Sequence, residues 1–174
     1  LAATRRLNPK GRIRAINAIN RFCHLAKAMG IPELTAVATA AVRDAQDGRA
    51  FCADVLQATG QKIRIINGRE EARLSAQGVL LGWPGAYGLV CDLGGSSMEL
   101  AEIFDGKVGK CASSRIGPFK LMDIAGGLPE RAKAISKSMV KLSQKMGPQH
   151  NRLFLVGGSW RVLARVDMVR RSYP

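Results

Sequence analysis

Apolar residues recur every three or four positions through Ile13, Ile16, Ile19, Phe22 and Ala26, the period of one face of an α-helix. Asn8-Pro9 ahead of them has the chemistry of a helix start, an Asn cap followed by a Pro whose missing N–H costs nothing in the first turn. Gly30-Ile31-Pro32 stops the run. Leu34 to Thr39 then reads as a short strand, and Val42 to Thr59 as a helix carrying Phe51, Cys52, Val55 and Leu56 before Gly60. Lys62 to Ile66 reads as a second strand and Arg69 to Val79 as a further helix. This order of helix, strand, helix, strand, helix predicts crossover units on a largely parallel sheet.

The pattern changes at Gly82-Trp83-Pro84-Gly85, where two glycines and a proline in four residues cannot continue a helix. A domain boundary is expected there, dividing the chain into 1–82 and 83–174. Beyond it, Tyr87 to Asp92, Met98 to Phe104 and Lys107 to Ala112 read as three strands, with Gly94-Gly95 in the first turn and Asp105-Gly106 in the second. Asp-Gly between two such runs is a strong hairpin signal. Pro129 opens a helix with Ala132, Ile135, Met139 and Leu142 on one face. Arg152 to Val156 then reads as a buried strand, followed by Gly157-Gly158 and a last helix over about Ser159 to Arg171. Two αβ pieces result, and ligands of open α/β sheets bind in the cleft between such lobes.

At 174 residues, 47% of them hydrophobic, the chain can bury a real core. Its apolar stretches fall far short of the roughly 20 residues a membrane helix needs. Charge changes the picture more: 27 Lys and Arg against 13 Asp and Glu give a formal net charge of +14. From Leu1 to Pro32 there are seven basic residues and no acidic one, so a polyanionic partner such as nucleic acid, a phosphate chain or an acidic membrane surface is expected, with solubility or contact with a further domain as the alternative. Nucleic acid is the weaker candidate, because aromatic residues make up only 5% and no recognition-helix or zinc-finger pattern is present. Cys23, Cys52, Cys91 and Cys111 are widely spaced, with no CxxC pair, and read as packed free thiols of a cytoplasmic protein. His24 and His150 share no motif with another ligand type. The start, Leu-Ala-Ala-Thr-Arg-Arg, has neither an initiator Met nor an export signal and reads as an internal cut.

The segment richest in chemistry is Val90-Cys91-Asp92-Leu93-Gly94-Gly95-Ser96-Ser97-Met98-Glu99. A strand ends in a carboxylate and the backbone turns through small residues whose N–H groups can surround a phosphate. The hydroxyls of Ser96 and Ser97 add donors, and Asp92 at the strand mouth suits Mg²⁺, which takes one or two carboxylates together with substrate phosphates. Glu70 and Glu71 lie in the first turn of a helix, where carboxylates complement the positive helix end. Glu71 directed into a cleft would orient a water attacking phosphorus, with Arg43 neutralising the transferred group. Gly157-Gly158 allows close approach of a ligand to backbone but lacks the third glycine of a dinucleotide fingerprint.

Four segments in order, Val37 to Ala45, Asn67 to Ser75, Asp92 to Leu100 and Val156 to Ala164, resemble the exopolyphosphatase and guanosine pentaphosphate phosphatase family from about Leu7 onward. The resemblance implies an α/β, actin-like fold of two ribonuclease-H-like lobes around a cleft. The activity it implies is Mg²⁺-dependent removal of the terminal orthophosphate from inorganic polyphosphate, or conversion of guanosine pentaphosphate to the tetraphosphate. By the match, Glu71 resembles the catalytic base and Arg43 the substrate-phosphate arginine. Asp92 and Glu99 resemble the carboxylates that organise metal and water. Gly94 and Gly95, with Ser96 and Ser97, fall in the second phosphate loop, and Gly157 and Gly158 where actin-like relatives receive a nucleotide. The family's loop has a third glycine where this chain has Ser96, so strain is expected if that position requires positive φ. The family's first phosphate loop, Asp-x-Gly-Ser, and its C-terminal helical region have no counterpart here. The chain is therefore expected to belong to a larger polypeptide or complex, with a homodimer as a further expectation. Two other readings stay open: a basic module that binds polyanions without cleaving them, and a sugar or acetate kinase of the same superfamily.

Overall fold

The computed structural model describes residues 5–147 and 151–173, so His150 lies outside the described residues. The chain divides into two compact units, Leu1–Asn67 and Gly68–Pro174. In the first, α1 (Pro9–Ala28) starts as its sequence predicts, with the Asn8 side chain accepting from Gly11 N–H at 3.0 Å. Strands β1 (Ala36–Ala38) and β2 (Ile63–Ile65) pair in parallel, the direction a helical crossover imposes.

Between these strands the single helix expected over 42–59 is two, α2 (Ala40–Arg43) and α3 (Gly48–Thr59). Asp47 makes the break. Its carboxylate accepts from Leu7 N–H at 2.9 Å and from Arg12 Nη1 at 2.8 Å, anchoring the chain that enters α1. Gly48 follows it against the carbonyl of Val42, where a Cβ would stand 2.0 Å from the oxygen. A long-range clamp and a close backbone approach thus override a continuous helical pattern.

The second unit is a four-stranded sheet between helices. Helix α4 (Gly68–Gly82) leads into β3 (Gly88–Leu93), β4 (Met98–Phe104) and β5 (Lys107–Ser114). Then come α5 (Pro118–Met122), α6 (Gly127–Ser143), β6 (Leu153–Val156) and α7 (Gly158–Arg170). The strand order is β5-β4-β3-β6, antiparallel except for the parallel β3–β6 pair. Asp105 and Gly106 turn the β4–β5 hairpin with φ of 50° and 68°, the left-handed pair that a tight primed turn requires. One face buries Val90, Ala101 and Ile103 against Ala72 and Ala76 of α4, whose small side chains let the helix approach closely. The other buries Cys91, Leu100 and Ala112 with Leu142 of α6, Trp160 of α7 packing against them. Because α4 belongs to this core, the units separate at residue 67, ahead of the Gly82-to-Gly85 loop where composition placed a boundary.

Glu102 is buried in the sheet where the β4–β5 register shifts between Ala101 and Ile103. Its carboxylate accepts from the N–H groups of Lys110 and of Gly147, which ties the chain beyond α6 to the irregular strand pair. All four cysteines are free; Cys91 alone is buried, which pushes its thiol up to about 11, while Cys23, Cys52 and Cys111 are half-buried. Among the described residues no helix is long and apolar enough to cross a membrane.

Candidate active site

Central strand β3 ends at a row of residues set abreast: Val156 on β6, Asp92 on β3, Glu99 on β4 and Ser113 on β5 are register partners. Residues directly opposite across a sheet share a face, and this face is the one that α4 covers. Glu71 and Ser75 stand one helical turn apart on α4, so they project from the same side of it. The Ser75 hydroxyl donates to Oδ2 of Asp92, and the Ser113 hydroxyl donates to Oε1 of Glu99 at 2.8 Å. Helix α4 starts close enough to the sheet that a Cβ on Gly68 would fall 2.3 Å from Ser113 Oγ. Glycine at that position is a condition of the helix reaching the carboxylates.

Glu99 is 1% exposed. Its pKa is raised to about 7, chiefly because burial penalises the charged form, with the charges of Glu71 and Asp92 adding to the rise and hydrogen bonds from Ser113 and Ser97 opposing it. Three carboxylates therefore share one local field. The neighbouring Glu70 forms a two-bond pair with Arg73 at 3.0 and 2.8 Å.

The turn after β3 is closed by Gly94 N–H donating to Ser97 O at 3.0 Å. That amide is occupied, and the buried Ser97 hydroxyl bonds Glu99, so two of the expected phosphate donors are directed inward in this conformation. Ser96 is not among the residues with positive φ, and the strain expected from serine at this position is absent. Gly95 is pressed by α5, which the sequence pattern did not reveal. Phe119 N–H donates to Gly95 O at 2.9 Å, and a Cβ on Gly117 would lie 2.5 Å from that same oxygen.

Gly157 follows β6 at φ 108°, beside the end of β3. A Cβ there would stand 3.1 Å from Leu93 O and 3.2 Å from Asp92 Oδ1, so its absence leaves room in front of that carboxylate oxygen. Gly158, by contrast, has nothing within 4 Å of where its Cβ would be. Both glycines and the Gly94-to-Ser97 turn lie at the C-terminal ends of parallel strands, where α/β sheets hold ligands.

No group of three His, Cys, Asp or Glu among the described residues is arranged to enclose a metal ion. Mg²⁺ does not need one, since substrate phosphates and water complete its octahedron. Asp92 Oδ1, facing the gap that Gly157 keeps open, fits this role. Glu99, covered and bonded by two hydroxyls, offers less of its carboxylate.

Arg43 belongs to the first unit. Its Nη1 donates to Ile66 O at 3.0 Å and its Nε lies 3.7 Å from Asp44, which brings it to the edge where the parallel strands β1 and β2 end. The structure thus gathers Glu71, Asp92, Glu99, the Gly94-to-Ser97 turn and Gly157 in one unit, although the sequence reading assigned Glu71 to the first lobe. Ser75 and Ser113 went unrecognised. Ser75 has as signals its spacing of four from Glu71 and its place in the Asn67-to-Ser75 segment, and Ser113 has none without the strand register.

The profile of the Ppx/GppA phosphatase family matches residues 1–174. The chain belongs to this family. Exopolyphosphatase 1 of Mycobacterium tuberculosis (strain ATCC 25618 / H37Rv) is 32% identical over 102 residues, covering 58% of this chain and 30% of that protein. Exopolyphosphatase 1 of Mycobacterium leprae is 33% identical over 92 residues, 52% of this chain and 27% of its own. Among solved structures, the Aquifex aeolicus Ppx/GppA member superposes with a TM-score of 0.75 at 24% identity, covering 95% of this chain and 56% of that one. An exopolyphosphatase from Cytophaga hutchinsonii gives 0.85 at 19% identity, with 98% and 58% covered. At such identities these Ppx/GppA structures establish the fold, which is the α/β actin-like one that the sequence implied. The chain spans under a third of the curated relatives' length and a little over half of the solved ones.

Proposed function

We propose that the full-length protein hydrolyses the terminal phosphoanhydride of inorganic polyphosphate, releasing orthophosphate and a shortened chain. The observation carrying this reading is the gathering of Glu71, Asp92 and Glu99 beside the small-residue turn at the end of β3. Glu71 orients a water in line with the bridging oxygen and takes its proton as the bond to phosphorus forms. Asp92 would hold Mg²⁺, which when bound supplies charge neutralisation of the phosphoryl oxygens, with the covered Glu99 adding negative charge behind it. Amides of the Gly94-to-Ser97 turn and of Gly157-Gly158 bind phosphates of the chain, and Arg43, which belongs to the first unit, is carried from the family resemblance as a phosphate-binding residue. The net charge of +14 supports retention of the shortened polyanion.

Guanosine pentaphosphate is the second substrate that the family resemblance implies. Orthophosphate release by the full-length protein, measured on polyphosphate and on guanosine pentaphosphate with Mg²⁺, tests the reading. Release from polyphosphate is the expected result, and release from guanosine pentaphosphate alone would exchange the substrate. Binding of either with no phosphate released would replace hydrolysis by the polyanion-binding reading, which the same basic charge also favours.

A further inference from the structure

We infer that Ser75 is a positioning residue, which fixes Asp92 so that one carboxylate oxygen faces the space in front of Gly157. The inference rests on the metal-binding part of the function proposed above. Asp92 has two oxygens in different surroundings. Oδ2 receives the Ser75 hydroxyl, while Oδ1 lies beside the position that a Gly157 Cβ would fill, 3.2 Å away. A carboxylate bonded at one oxygen loses rotation about its terminal torsion and presents the other oxygen in one direction, as hydrogen-bonded supports of metal ligands do.

The donor sits on a rigid element. Helix α4 is packed on the sheet through Ala72 and Ala76, at 1% and 0% exposure, and Gly68 seats its first turn against Ser113. Ser75 is one turn beyond Glu71 on that helix. One helix thereby sets the direction of the water-orienting carboxylate and the rotamer of the cation-binding carboxylate, and their mutual distance does not depend on loop conformation. Serine fits this place because its hydroxyl is short enough to reach the strand from a helix packed at alanine distance.

Mn²⁺ binding to the full-length protein with inorganic phosphate, the reaction product, present to complete the metal's coordination, followed by electron paramagnetic resonance, tests this without recourse to activity. Ser75→Ala and Ser75→Val should weaken Mn²⁺ binding by about 10- to 100-fold, the range for loss of a ligand's outer hydrogen bond. Ser75→Thr, which matches Val in shape and retains the hydroxyl, should restore it to within about 3-fold of the parent. With saturating Mg²⁺ the Ala variant should regain most of its turnover, so the defect falls on the apparent metal constant. Equal binding by parent and Ser75→Ala, or Thr as weak as Val, overturns the positioning role while leaving the metal site standing. A parent that binds no Mn²⁺ overturns the metal site itself, and the inference with it.

Discussion

Ser113 donates to Glu99 across the β4–β5 pair at 2.8 Å, and with Ser97 it provides hydrogen bonds to a carboxylate that is 1% exposed. Burial nevertheless wins, and the Glu99 pKa rises from 4.5 to about 7. Between those values the folded protein retains a proton that the unfolded chain has released. Without divalent cation, this group's contribution therefore falls as pH rises through that window, by up to roughly 3 kcal/mol, and is level above it. Glu99→Gln should flatten the decline. Urea midpoints of parent and variant at about pH 5 and about pH 8 measure it, and an equal pH response in the two proteins would show that Glu99 ionises normally.

Glu71→Gln keeps the size of the side chain and removes its basicity. In the full-length protein, turnover should drop by about 100-fold or more with substrate affinity nearly unchanged. Steady-state phosphate release at saturating metal reads both quantities. Turnover near the parent's would take Glu71 out of the role of base.

Arg43 has a structural bond to Ile66 O as well as its proposed contact with phosphate. Arg43→Ala should raise KM and lower kcat together, and it should also lower the thermal midpoint modestly, since a charged hydrogen bond to a carbonyl contributes roughly 1.5–3 kcal/mol. A lowered midpoint with unaltered kinetics would make the arginine a clamp on the end of β2 and nothing more.

Gly95 and Gly117 look alike in sequence and differ in what surrounds them. A Cβ on Gly95 meets the Phe119 ring at 2.6 Å, but Phe119 is 67% exposed and can swing away. A Cβ on Gly117 meets backbone of Gly95 and Ser96 at 2.5 to 2.6 Å, which cannot give way without moving the turn. Gly95→Ala should cost less than about 1 kcal/mol and Gly117→Ala about 1–3 kcal/mol, with weaker phosphate-chain binding in the second. Denaturant titration of both variants gives the order, and the reverse order would refute the packing assigned to α5.

Helix α1 was legible because its cap, its apolar period and its stop all lie within one segment. The β4–β5 hairpin was legible for the same reason, its turn residues being adjacent. The break between α2 and α3 was not, because it depends on Asp47 reaching Leu7 and Arg12. Helix α5 is five residues long, too short to show a period. In the site, Glu71, Asp92 and Glu99 stood out through motif resemblance. Ser113 gains its meaning only from the register that sets it opposite Glu99. The inward direction of the Ser97 hydroxyl likewise follows from burial that no local pattern encodes.

The abreast placement of Asp92 and Glu99 makes the segment joining β3 to β4 a length gauge. Exchange of one small residue for another inside it leaves the alignment untouched, as Ser96 illustrates. Gaining or losing a single residue is a different kind of event: a shift of one in register would turn either acidic group to the far side of the sheet, among the side chains around Leu100. Natural variation along this stretch should therefore run to replacements and avoid insertions and deletions.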